Sequence, residues 1–314
     1  MTNKTQKIIT AILVSCLIVL SLQSLVIILN LYQVAIFLHL AFWLWIFLWL
    51  MVFVLYDLHF KNPGAFLRAK TRHENVSHWL KRSVRIAFTA LIDRLGHLGR
   101  WNEIKHWLNY LLLPGIIFWS TVAVLYANFG NVKIQQIYIW LSSAAFIVIF
   151  WYVKEAFSRK QEKVEADIFA ALSVAKIYAV VLTFGAAIVI MRHFCLSPYL
   201  FALGIFCLTF LFVSQALFQH KYINLISLAA ALSIGAFIGI SGYFVYIYWG
   251  YNYMTAAIFL AAVYNLLWGG YHYYLDKALT KKVFFEILLI CFIIAYFVLS
   301  NTNFKAKILD SCVF

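Results

Sequence analysis

Residues 61–106 read KNPGAFLRAKTRHENVSHWLKRSVRIAFTALIDRLGHLGRWNEIKH, the only long stretch of this chain that cannot lie in a membrane. Ten basic residues (Lys61, Arg68, Lys70, Arg72, Lys81, Arg82, Arg85, Arg94, Arg100 and Lys105) stand there against three acidic ones (Glu74, Asp93 and Glu103). On either side the sequence enters apolar runs of transmembrane length. Basic flanks of membrane helices stay on the cytoplasmic side, so this segment sets the expected orientation of the rest.

Composition says the same. Hydrophobic residues make up 65% of the 314 and charged residues 11%, against roughly 45–50% and about 25% in soluble domains. A soluble chain of this length has no way to hide so much apolar surface. The reading is therefore an all-α, polytopic integral membrane helix bundle. In a soluble protein the net charge of +14 would suggest nucleic acid. Here the basic residues lie in loops beside apolar spans, which makes anionic lipid headgroups the expected partner and nucleic acid not.

About nine spans follow in order. Lys4 and Lys7 precede the run Ile8–Leu29, which is too long and unbroken for a signal peptide. Leu13-Val14-Ser15-Cys16 resembles a bacterial lipoprotein cleavage box, but the apolar run continues straight through it. The second span, Gln33–Leu55, is bulky all round and contains His39, read as bonded to a neighbouring backbone carbonyl or hydroxyl. Domain boundaries are expected at 1–60, 61–106, 107–153, 154–167 and 168–314. Trp107–Phe129, with a kink at Pro114, turns at Asn128–Lys133 into Ile134–Val153. A linker of four basic and four acidic residues, Lys154–Asp167, leads to five more spans: Ile168–Met191, Cys195–Gln219, Tyr222–Trp249, Tyr253–Leu275 and Val283–Ser300. Alternating the loops places 20 of the lysines and arginines on one side and four (Lys133, Arg192, Lys305 and Lys307) on the other. That imbalance predicts a plasma-membrane protein with a cytoplasmic amino terminus and an outer carboxy terminus. On this topology Cys195 and Cys312 share the outer face, where a disulfide is chemically permitted.

Within the organising segment, Leu80, Val84, Ala87, Phe88, Leu91, Leu95 and Leu98 recur at helical steps, with Lys81, Arg82, Arg85 and Arg94 mainly on the other side. Such a helix suits the headgroup plane, and Lys81, Arg82 and Arg85 are its expected lipid contacts. The histidines around it (His73, His78, His97 and His106) have no metal-site spacing, so neither metal nor cofactor is expected.

Three features invite chemistry. Lys176 lies about two turns inside the fifth span, where a charge costs a few kcal/mol. Its face continues through Ser173, Thr183 and Ala187, which suits a helix interface, with Asp276 and Glu286 as candidate partners. In Tyr264–Asp276, residues Asn265, Gly269, His272 and Asp276 share one stripe, which predicts a face turned to the interior. The tetrapeptide Gly239-Ile240-Ser241-Gly242 resembles the nucleophile motif of rhomboid proteases. However, Ser241 and His272 fall at opposite ends of antiparallel helices, and a Ser–His dyad needs contact. Close packing through Gly235-x3-Gly239 is the plainer account.

Two function classes follow. One is a carrier or receptor-like bundle holding a small amphipathic or aromatic molecule at Lys176, Asn265, His272, Asp276 and Glu286. The other is an enzyme or assembly subunit acting at the cytoplasmic headgroup layer through the basic segment. The scarcity of paired carboxylates counts against the enzyme.

Overall fold

The computed structural model describes residues 3–31, 34–55, 77, 78, 81, 85, 113–158, 166–219, 224–249, 252–302 and 304. Every regular element among them is an α-helix. Among the described residues, nine helices can be bounded: α1 (Asn3–Asn30), α2 (Val34–Leu55), α3 (Leu113–Ala127), α4 (Val132–Ser158), α5 (Ala166–Phe194), α6 (Pro198–Gln219), α7 (Leu225–Tyr248), α8 (Tyr253–Leu275) and α9 (Lys281–Ser300). Six of them contain stretches long and apolar enough to cross a membrane: Val132–Ile149, Val174–Phe194, Pro198–Leu217, Leu225–Tyr248, Tyr253–Leu275 and Lys281–Ser300. Three more apolar stretches, Ser15–Asn30, Val34–Leu48 and Pro114–Ala127, are shorter. The helices are compatible with a membrane protein.

Capping explains where several helices begin. Asn224 Oδ1 accepts the Ser227 amide at 2.7 Å, so α7 starts at Leu225 instead of the expected Tyr222. Asn252 Oδ1 accepts from the amides of Met254 and Thr255, starting α8 at the expected Tyr253. Thr280 Oγ1 accepts the Val283 amide, which brings Lys281 and Lys282 into the first turn of α9. Between α5 and α6 the chain turns at Cys195, whose φ of 45° lies in the left-handed region, and Pro198 opens α6 where no amide proton is needed.

The chain divides into two compact units. The first comprises Met1–Gly115 and Ile139–Ala175, the second Ile116–Tyr138 and Lys176–Phe314. In the first, α1 and α2 pack as a hairpin. Ile18, Leu22, Leu25 and Leu29 form the buried stripe of α1, at steps of four, three and four residues. Phe37, Ala41 and Leu48 are buried on α2. His39 is exposed, and its Nε2 accepts the Trp43 indole proton at 3.0 Å. Its partner is therefore an aromatic side chain of the same helix, not the backbone carbonyl or hydroxyl expected. Ser77, His78, Lys81 and Arg85 are helical and exposed. Arg82 and the apolar stripe from Leu80 to Leu98 lie outside the described residues, as do residues 101–112 on which the kink at Pro114 depends.

In the second unit the closest helix pair is α6 with α7, and glycines make it so. A Cβ on Gly239 would sit 3.1 Å from the Ala202 carbonyl oxygen and 3.1 Å from Phe206 Cβ. One on Gly235 would meet the Phe206 ring at 3.2 Å, and one on Gly242 would meet Ile205 at 3.3 Å. Without a hydrophobic driving force between helices in lipid, such backbone approach supplies the attraction through dispersion. Helix α8 buries Ala256, Ala257, Leu260, Ala261, Ala262 and Tyr264, all in its first half. Helix α9 packs on α8 but buries only Val298, its other side chains being half-buried or exposed.

Candidate functional site

The second half of α8 is looser than the first. Tyr264 is the last buried residue, its ring 6.5 Å from those of Phe184 on α5 and Phe212 on α6. Beyond it, from Asn265 to His272, every residue is half-buried. A Cβ built on Gly269 or Gly270 meets no described atom within 4 Å. Among the described residues, nothing packs closely against the helix at these two positions. At about 100° per residue, Asn265, Gly269, His272 and Asp276 are displaced roughly a quarter turn from the packed face of Ala257, Leu260, Ala261 and Tyr264. The stripe thus lies on a flank of the helix beside that packed face.

His272 and Asp276 are brought together as their spacing suggests, with Nε2 and Oδ2 3.6 Å apart and both side chains partly open to solvent. The Trp268 ring lies 5.7 Å from the imidazole. Tyr271, on the opposite side of α8, donates its hydroxyl proton to Ser227 Oγ at 3.4 Å and ties this half of the helix to the start of α7. The Glu286 carboxylate lies 3.9 Å from the Lys282 ammonium on its own helix, with both side chains largely exposed. Lys176 itself is half-buried. Further along its face, Thr183 accepts a hydrogen bond from Ser120 of α3 at 3.3 Å and donates to the Ala179 carbonyl at 2.7 Å, so that part of the face is a helix interface. Ser241 donates to the Phe237 carbonyl of its own helix at 2.9 Å.

A second opening lies at the other end of α5 and α8. Tyr126 and Ala127 of α3, Val189, Arg192 and His193 of α5, Cys195 of the following turn, and Asn252 and Tyr253 at the start of α8 line a cleft of about 730 Å³. The Tyr126 ring stands edge-on to the imidazole of His193, centroids 5.5 Å apart at 87°. Asn128 donates from Nδ2 to the Tyr253 hydroxyl oxygen at 2.6 Å, joining the end of α3 to the start of α8. Cys195 is a free thiol, and Cys312 lies outside the described residues. Among the described residues no group of three or more His, Cys, Asp or Glu side chains is arranged to hold a metal ion.

No family model, curated protein or solved structure matches this chain. Its function therefore has to be argued from these residues.

Sequence reasoning missed the cleft because three separated segments build it. One signal did point there: Arg192 is among only four basic residues assigned to the charge-poor side, against the bias that holds such residues on the other.

Proposed function

We propose that this protein is a carrier or receptor-like membrane protein that takes a small amphipathic molecule along the open stripe of α8. The observation that supports it is the conjunction on one flank of Asn265, the His272–Asp276 pair and Gly269, whose Cβ position meets no described atom within 4 Å. Polar groups on a membrane helix are costly unless something uses them. Trp268 would supply an aromatic wall, His272 and Asp276 an oriented proton-exchanging pair, and Asn265 a donor and acceptor near mid-membrane. Lys176 contributes a positive charge from α5. Glu286, engaged with Lys282, is the weakest member of the set.

In the same proposal all nine helices span a plasma membrane, with the amino terminus in the cytoplasm and the carboxy terminus outside. Lys81, Arg82 and Arg85 then meet anionic headgroups of the inner leaflet. A second reading, action at that headgroup layer by an enzyme or assembly subunit, draws support from the exposed helical placement of Ser77, His78, Lys81 and Arg85.

The test is a ligand-induced thermal shift in lipid nanodiscs against a panel of aromatic amphiphiles. A compound that stabilises the wild type but not His272→Ala or Asp276→Asn supports the internal site. Shifts that survive those changes and vanish in the Lys81→Gln, Arg82→Gln, Arg85→Gln triple variant would move the function to the headgroup layer.

A further inference from the structure

We propose that the cleft at the α3, α5 and α8 ends is a separate binding site for a small anion, a phosphate monoester or carboxylate carrying an apolar or aromatic body. Three observations converge. First, its volume of about 730 Å³ falls within the range of roughly 300–1,000 Å³ that holds small molecules. Second, its lining carries a guanidinium: Arg192 contributes from the last turn of α5 beside the His193 imidazole, and among the described residues no carboxylate lines it. A guanidinium offers two parallel donors matched to a carboxylate or phosphate. Third, the rest of the wall is amphipathic. Tyr126 and Tyr253 present rings and hydroxyls, and Val189 adds apolar surface, so a bare inorganic ion would leave most of the cleft unfilled.

The helix ends bear on the chemistry too. The carboxy-terminal ends of α3 and α5 carry partial negative charge, which the Arg192 guanidinium partly offsets, while α8 presents its positive amino-terminal end. That end is already capped by the Asn252 side chain, so the anion's main contact is Arg192. Helix α8 is 23 residues long, about 34 Å at 1.5 Å per residue. The cleft and the His272–Asp276 pair therefore sit at opposite ends of it and are independent sites.

The source of the anion is either a lipid headgroup or a soluble molecule, and one experiment separates them. Full-length protein in nanodiscs of zwitterionic phosphatidylcholine is titrated with phenyl phosphate, with inorganic phosphate and with benzylammonium, following chemical shifts or heat. Saturable binding of phenyl phosphate, weaker binding of inorganic phosphate and none of benzylammonium are expected. Arg192→Gln should weaken phenyl phosphate at least tenfold, while Asp276→Asn leaves it unchanged. If Arg192→Gln does not fold, Arg192→Lys, which keeps the charge but loses the two-pronged donor, should weaken binding severalfold. Replacing part of the lipid by phosphatidylglycerol then decides the source: competition with phenyl phosphate identifies a headgroup, and no competition a soluble anion. The proposal is overturned by no saturable binding, by equal binding of benzylammonium, or by affinity untouched at Arg192.

Discussion

Gly239 tests the packing that holds the second unit together, and its neighbourhood sets the size of the effect. A methyl group there would stand 3.1 Å from the Ala202 carbonyl oxygen and 3.1 Å from Phe206 Cβ, against about 3.5–4.0 Å for a comfortable carbon contact. Both obstacles are fixed to the α6 backbone, so no side chain can swing aside and the helices must part by a few tenths of an ångström. Overpacking of this kind costs about 1–3 kcal/mol. Alanine also gains about 1 kcal/mol over glycine in helix propensity, which blurs the result for a single variant. Gly269 removes that ambiguity: it is also helical, but a Cβ there meets no described atom within 4 Å. The propensity gain cancels between Gly239→Ala and Gly269→Ala, leaving Gly239→Ala the less stable by about 1–3 kcal/mol. Reversible unfolding in mixed micelles of rising dodecyl sulfate fraction, followed by circular dichroism, gives the difference directly. A Gly239→Ala variant as stable as Gly269→Ala would show that α6 and α7 do not meet through this glycine.

Other expectations are simpler. Trp43→Phe should cost about 0.5–1.5 kcal/mol by removing the donor to His39, and a double-mutant cycle with His39→Leu should recover most of it as coupling; additive effects would deny the pair. Asn252→Ala should destabilise by about 1 kcal/mol and speed hydrogen exchange at the Met254 and Thr255 amides, which lose their cap; unchanged exchange there would contradict the capping. Asp276→Asn should change stability by less than about 1 kcal/mol, the pair being partly exposed, yet abolish the ligand-induced shift. With the other cysteines replaced, Cys195 should react with a membrane-impermeant maleimide added outside intact cells; reaction only after permeabilisation would invert the proposed topology.

The periodicity and length of the apolar runs made the helices legible, because a chain with 65% hydrophobic residues has few other ways to satisfy its backbone. Local rules carried well. The Gly235-x3-Gly239 spacing anticipated a close helix contact, and the four-residue step from His272 to Asp276 anticipated their approach. Two local pairs went unforeseen: Glu286 lies 3.9 Å from Lys282, four residues away on its own helix, and His39 finds Trp43 by the same spacing.

What the sequence determined by itself was therefore the helical class, the membrane-like character and local approaches such as His272 to Asp276, since these depend on composition and on a fixed rise and rotation per residue. The tertiary structure decided which face of α8 is packed, that Phe206 and Ala202 of α6 are what the α7 glycines meet, and that Tyr126, Arg192 and Tyr253 share a cleft. Those facts depend on how helices far apart in the chain pack side by side, and in lipid that choice turns on shape and hydrogen bonding, which no pattern of apolar residues encodes.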